Sequence, residues 1–375
     1  MNIRNYMLIA VLLSTGCLSC SGENGSNENQ GAGQPGTEQT TTQQHRLANP
    51  NATAETQRLY NALWSQFGKK AISGTVASVD WNTREADIVK QWTGKYPAIN
   101  VFDFINIQAS KDVNPKGWID YSDDTVVRNW AKAGGIVGAM WHWQVRANNG
   151  IDYTCTPGTA SGETSFDPTC INNVSSADYK QLIHDIDQVA GYLKQMQKRG
   201  IPVIWRPLHE ASGNTYEFEG GIKGADAYKK LWRFLYDRLV NHHKLNNLIW
   251  VWNSQMNDHD WYPGDDVVDV VGRDSYYALQ YPLMKNFKQL QKEYPSKLIT
   301  LAECGNGDEV HMSQWSDIWQ EGSRWSWFMP WYDYDYDNGN SDTHRFADKQ
   351  WWQSAFSTGT VLDRDEMKAI IENMK

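Results

Sequence analysis

Two glutamates stand out for what surrounds them. Glu210 ends the string Trp205-Arg206-Pro207-Leu208-His209-Glu210, and Glu303 sits in Leu301-Ala302-Glu303-Cys304-Gly305, each just beyond a short apolar run. Two opposed carboxyl groups suit hydrolysis of a glycosidic bond. One, protonated, gives its proton to the leaving oxygen while the other acts from the far side of the anomeric carbon. In a retaining reaction the second group attacks and the pair lies about 5–5.5 Å apart, whereas inversion leaves roughly 6.5–9.5 Å for a water. A lone Glu after a strand is more often a helix-terminal charge or an ion-pair partner. Two of them, ringed by aromatic and ionisable residues, favour chemistry.

The elements that must position these groups are short apolar runs alternating with longer amphipathic segments. The candidate strands are Ala71–Ala77, Ala98–Phe104, Gly135–Trp141, Pro202–Trp205, Leu248–Trp252, Val267–Val271, Leu298–Ala302 and Trp325–Met329. Runs that are apolar throughout suit strands buried on both faces, as in a parallel sheet. Between them, Tyr179–Arg199 carries Leu182, Ile183, Ile186, Val189, Ala190, Leu193 and Met196 at helical spacing, with Gly200 where a C-terminal cap belongs. Ala225–His242 repeats that pattern. Eight strand–helix units define an α/β fold, a (β/α)8 TIM barrel, as one domain over residues 46–375. A doubly wound open sheet is the alternative that periodicity leaves open.

A barrel of this kind carries its chemistry at the C-terminal ends of its strands. The residues there are His142 after the third run, His209 and Glu210 after the fourth, and Asn253 after the fifth. Arg273, Asp274 and Tyr276 follow the sixth, Glu303 the seventh and Trp331 the eighth. Strands four and seven lie nearly opposite each other across such a barrel, so Glu210 and Glu303 can face one substrate from both sides.

Composition narrows the partner. The 375 residues are 40% hydrophobic and 21% charged, a globular balance, and the net charge of −9 argues against nucleic acid. The 19 Trp and 18 Tyr are numerous enough to supply sugar-stacking platforms, with roughly half expected to fill cores instead. Beyond Cys17 and Cys20 in the leader no CxxC is present, and no HExxH motif, so neither a metal nor a cofactor is suggested. Cys155 and Cys170 flank a Gly/Pro/Thr/Ser-rich loop and form a plausible disulfide in an exported protein, leaving Cys304 alone.

The N-terminus reads as targeting. Residues 1–20 hold Arg4, the apolar run Met7–Leu13, and small residues leading into Cys17, with Cys20 close behind. That pattern resembles a bacterial lipobox, with Cys17 the better fit for lipid attachment and Cys20 the alternative; a plain secretory signal is the other reading. Residues 21–45, rich in Ser, Gly, Asn, Gln, Thr and Glu, read as a flexible tether. The expectation is an exported monomer held to a membrane only through a lipid, on the cell surface or the periplasmic side.

The string Trp205-Arg206-Pro207-Leu208-His209-Glu210 resembles the strand-four signature of glycoside hydrolase family 26, whose best-known members are β-mannanases. Most of the wider clan has Asn before the acid/base glutamate; family 26 has His, as here. The resemblance covers the barrel and implies a retaining enzyme acting on β-1,4-linked mannan. Glu210 would be its acid/base and Glu303 its nucleophile. It further implies sugar contact by His142, a hydrogen bond from Tyr276 to the nucleophile, and a stacking floor from Trp331. His209 would position Glu210 or its sugar, and Arg206 would brace the site. Tyr216, in Tyr216-Glu217-Phe218-Glu219, would only approximate the platform that many members build from an aromatic run. Tyr332 stands where the family has an arginine, and the acidic stretch Tyr332–Asp337 reads as solvated surface, with a sugar-binding loop and a calcium-binding loop as the alternatives. Family alternatives are β-glucan or β-1,3-xylan as substrate. From another class, a carbohydrate-binding lipoprotein would keep the barrel without the chemistry.

Overall fold

Eight parallel strands form the centre of the molecule. They are β1 (Ala71–Val76), β2 (Ile99–Asp103), β3 (Ile136–Trp141), β4 (Val203–Pro207), β5 (Leu248–Ser254), β6 (Val270–Tyr276), β7 (Leu298–Gly305) and β8 (Trp327–Pro330). Each pairs with the next, and β8 returns to β1 through Ile72–Trp327 and Ser73–Phe328, closing the barrel. Closure leaves no strand edge unpaired around the ring. The computed structural model describes residues 45–374 apart from 79, 214–222, 277–278, 308–309 and 334–341. Cys17, Cys20 and Tyr216 therefore lie outside the described residues, as does most of the acidic stretch after Tyr332.

The surrounding helices are α1 (Ala54–Gln66), α2 (Arg84–Thr93), α3 (Thr125–Lys132), α4 (Ala177–Lys198), α5 (Ala225–Tyr236), α6 (Gln280–Glu293), α7 (Trp315–Gln320), α8 (Lys349–Ser357) and α9 (Arg364–Asn373). The Ser176 side chain accepts from Tyr179 N and caps α4, whose Leu182, Ile186, Val189 and Leu193 form one buried stripe. Gly200, with φ +68°, makes the left-handed turn just past its end. The periodic segment after Ala225 is helical throughout, but its last part, Asp237–His242, widens into a π-helix.

Two apolar layers hold the barrel. Inside it, Ile72, Val101, Met140, Ile204, Val251 and Leu298 meet Leu59, Tyr60 and Leu63 of α1, which stops the end from which the strands start. Tyr60 Oη donates there to Asp269 O at 3.0 Å. Outside, the helix stripes pack on the other strand faces, where Trp141, Trp205, Trp250 and Trp252 supply bulk. Fourteen of the 19 Trp and, among the described residues, six of the 18 Tyr are buried, so about half of the two types together fill cores, Trp far more than Tyr. Each fully buried large apolar side chain contributes about 1.5–3 kcal/mol over its exposed state.

Strand boundaries differ most on the side carrying Glu303. β6 begins at Val270 rather than Val267, because Asp269 turns in to accept from Ala48 N and Trp250 N at 2.6 and 2.7 Å. It then runs on to Tyr276, so Arg273, Asp274 and Tyr276 are strand residues. β7 likewise continues through Glu303 to Gly305.

The Cys155–Cys170 disulfide is corrected by the structure, in which no bond joins these two buried residues. Cys170 is drawn into the outer core by the 3-10 turn Pro168–Asn172, and Cys155 does not belong to that cluster. Hydrogen bonds hold the loop instead, among them Asn148 Nδ2 to Gly158 O and Ala160 O at 3.0 and 2.9 Å. Burial, with Asp178 and Asp167 nearby, pushes the Cys170 thiol up to about 12.

Candidate active site

Glu210 owes its place to unusual backbone. Immediately after β4, Leu208 and Glu210 have φ of +50° and +58°, in the left-handed region that costs non-glycine residues about 1–3 kcal/mol each. Packing and hydrogen bonds hold the turn. Tyr228 Oη donates to Leu208 O at 3.0 Å, and Gly213 N donates to Glu210 O at 2.9 Å. The turn aims His209 and Glu210 across the mouth of the barrel.

Glu303 is aimed by a different device. Between β6 and β7 the register runs Arg273–Leu301 and then Asp274–Glu303, so β7 carries one extra residue, Ala302. Side chains alternate along a strand, and Ile299 and Leu301 face the outer layer. Without the bulge Glu303 would follow them outward. With it, Glu303 stands beside Asp274 in the mouth while Cys304 takes the outward place. Gly272 makes room for this. A Cβ there would lie 2.9 Å from Ala302 Cβ and 2.8 Å from Asn253 Oδ1.

The two glutamates meet. One carboxylate oxygen from each of Glu210, Asp274 and Glu303 lies within 4.8 Å of the others. Three carboxylates so close could in principle hold a divalent cation. The Arg206 guanidinium already supplies positive charge there, donating through Nη2 to Glu303 Oε1 and through Nη1 to Asp274 at 3.2 Å. Tyr276 Oη donates to the other Glu303 oxygen at 2.6 Å. Asn253 links Arg206 and Asp274, accepting from one at 3.3 Å and donating to the other.

Electrostatics separate the groups. Burial, then the charges of Glu303 and Asp274, push the Glu210 carboxyl well above the usual carboxylate range, with Arg206 opposing. Asp274 is pushed up to about 7 by burial and Glu303, against Arg206 and Asn253.

A histidine pair completes the wall. His142 Nδ1 lies 2.6 Å from Asp103 Oδ2, and His142 Nε2 lies 2.9 Å from His209 Nε2. Burial works against a charge on His142, but the Asp103 charge and hydrogen bond outweigh it and raise its pKa. Burial, then the charges of His142 and Arg206, hold His209 well below the ordinary histidine value. When His142 carries its proton, its Nε2 donates in this contact and neutral His209 accepts. Trp331, 6% exposed, stands edge-on to His142 with ring centroids 5.9 Å apart.

The structure therefore gathers Glu210, Glu303, His142, His209, Tyr276, Trp331 and Arg206 at one mouth, while Tyr216 falls outside the described residues. Sequence reasoning missed Asp103 altogether, and it left Asn253 and Asp274 in the ring without a role. The signal for Asp103 was a carboxylate inside the run Ala98–Phe104, which is apolar apart from it and Asn100.

A closed parallel barrel with glutamates at the ends of strands four and seven is the arrangement of the large barrel clan of glycoside hydrolases. Within it, the chain belongs to glycosyl hydrolase family 26, whose sequence model matches residues 48–362. It is 35% identical over 326 residues to a mannan endo-1,4-β-mannosidase of Thermothelomyces thermophilus, covering 86% of this chain and 63% of that protein. It is 31% identical over 294 residues to mannan endo-1,4-β-mannosidase A of a Piromyces species, covering 76% of this chain and 45% of that one. The chain thus spans roughly half to two thirds of these relatives' length. Among solved structures it resembles the family 26 domain of an endo-β-mannanase/endo-β-glucanase from Prevotella bryantii. That match has a TM-score of 0.77 and 35% identity, over 86% of this chain and 98% of the other.

Proposed function

We propose that the chain is a retaining glycoside hydrolase that cleaves β-1,4-mannosidic bonds in mannan, glucomannan or galactomannan. The observation that carries this reading is the approach of Glu210 and Glu303 carboxylate oxygens to within 4.8 Å in a family 26 barrel. That proximity suits the close pair of a retaining reaction better than the wider gap in which an inverting reaction holds its water. The choice of mannan is supported by the two relatives named mannan endo-1,4-β-mannosidase.

In this reading Glu303 attacks the anomeric carbon as the glycosidic bond breaks. Protonated Glu210 gives its proton to the departing oxygen. Water then enters, Glu210 takes its proton, and the new hydroxyl displaces Glu303 from the sugar. The elevated Glu210 pKa keeps the acid form available near neutral pH. Tyr276 and Arg206 hold one Glu303 oxygen each, which fixes the attacking carboxylate in a single orientation. His142 and Trp331 border the space for the sugar on which Glu303 acts. The chain would act as an exported monomer, held to a membrane through acylated Cys17 or, failing that, Cys20, a reading supported by the small residues before them.

The test is reducing-sugar release on unbranched β-mannan, galactomannan, mixed-linkage β-glucan and β-1,3-xylan, beside Glu303→Ala. Activity on the mannans, lost in the variant, is expected. Activity on glucan or xylan alone would overturn the substrate and keep the mechanism. Binding without turnover on every polymer would overturn the enzyme.

A further inference from the structure

The end of the barrel from which the strands start differs in charge from the end that carries the carboxylates. A groove of about 700 Å³ lies there, between the first turns of α1, the residues entering β3 and β4, and the last turns of α9. Arg58, Lys132, Lys198 and Lys368 line it, and none of the four has an ion-pair partner among the described residues. Arg128 and Arg199 also reach it, but both are turned onto Asp124. Glu55 and Glu372 are the acids on its wall, so the groove keeps a surplus of positive charge. On a chain whose net charge is −9, that surplus is a local feature rather than a sample of the surface. Part of it is fixed in place. The Lys368 stem lies so close over Gly134, whose φ is +93°, that a Cβ there would sit 2.5 Å from Lys368 Cδ.

The N-terminal side of the barrel domain meets this same end. Ala48 N donates to Asp269, just before β6, and Asn49 Nδ2 donates to Asn246, just before β5. The chain then turns through the Thr53 cap into α1, where Arg58 joins the groove. Residues 48 and 49 are therefore held at the end of the barrel that carries the groove, opposite the mouth with Glu210 and Glu303.

We propose that the groove is a membrane-facing surface that takes the phosphate-bearing head groups of anionic lipids. The inference rests on the lipid attachment read at Cys17 or Cys20, which would bring this end of the barrel to the bilayer. Phosphates would then meet Arg58, Lys132, Lys198 and Lys368, while the acidic remainder is repelled from the same surface. The carboxylate-bearing mouth faces the medium, where a polymer can reach it.

The test uses the full chain with Cys17→Ala and Cys20→Ala, which cannot be acylated. It is sedimented with vesicles of phosphatidylcholine alone or mixed with phosphatidylglycerol, at low ionic strength. Binding to the anionic vesicles alone, weakened by added salt, is expected. Each cation near such a surface contributes about fivefold. Lys132→Glu with Lys198→Glu and Lys368→Glu should therefore lower binding at least about tenfold, with an unchanged melting temperature. Equal binding by the charge-reversed chain, or none to anionic vesicles, would overturn the proposal. So would displacement by millimolar inorganic phosphate beyond the effect of equal ionic strength, which would make the groove a site for free phosphate. No hydrolysis or acylation enters the measurement, so its failure and that of the glycosidase reading are told apart.

Discussion

The two strand ends that carry Glu210 and Glu303 place the same side chain by opposite means. After β4 the backbone itself is bent, through left-handed Leu208 and Glu210, and the carboxyl it presents receives no hydrogen bond from the described residues. On β7 a single extra residue turns the side chain inward, and the carboxylate it presents meets Arg206 and Tyr276. One group is desolvated beside like charge, and the other is fixed by a cation and a phenol. Burial alone does not decide a role, because both sit in the same mouth; the partners do.

The largest expected effect is at the held group. Glu303→Ala should lower turnover by about 10⁴-fold or more. Circular dichroism should show a folded chain, since Asp274 still faces Arg206. Residual turnover near the wild-type rate would remove Glu303 from the chemistry. At the other end, Glu210→Ala should slow mannan hydrolysis by about 10²–10⁴-fold. On an aryl mannoside whose leaving group needs no proton, glycosyl-enzyme formation should be far less affected. Equal losses on both substrates would contradict the assignment of roles.

A smaller effect tests the bulge. Gly272→Ala would press a Cβ against Ala302 and Asn253. Displacing Glu303 in this way should lower kcat by about 10–100-fold, with a smaller change in KM. Unchanged kcat would mean that Gly272 does not support the position of Glu303. The smallest effect is a shift along the pH axis. Asp274 helps to hold the Glu210 proton on by charge repulsion, so Asp274→Asn should let Glu210 ionise at lower pH. The falling alkaline limb of kcat/KM should then move toward acid. Movement toward alkali would contradict the coupling.

Much of this was legible in the sequence because eight apolar runs and the polar residues after them follow the logic of a buried parallel sheet. Glu210, Glu303, His142, Tyr276 and Trp331 all fell out of that rule together with the strand-four string. What escaped it has a physical reason in each case. A bulge leaves no mark in an alternating pattern, so the inward turn of Glu303 past Leu301 could not be read. Leu208 and Glu210 are not residues that advertise a left-handed backbone, as glycine does. Asp269 lies inside the candidate strand Val267–Val271 and is instead the hydrogen-bonded entrance of β6. Asp103 was hidden at the end of an apolar run. Cys155 and Cys170 flanked one loop in sequence, and the structure buries both without a bond between them.

The central claim is that Glu210 and Glu303 work as a retaining pair, and the stereochemistry of the first product tests it most directly. Proton NMR during hydrolysis of a β-manno-oligosaccharide should show the β-anomer of the new reducing end first, with the α-anomer growing only as mutarotation proceeds. Appearance of the α-anomer first would mean inversion, and direct attack by Glu303 would then be wrong.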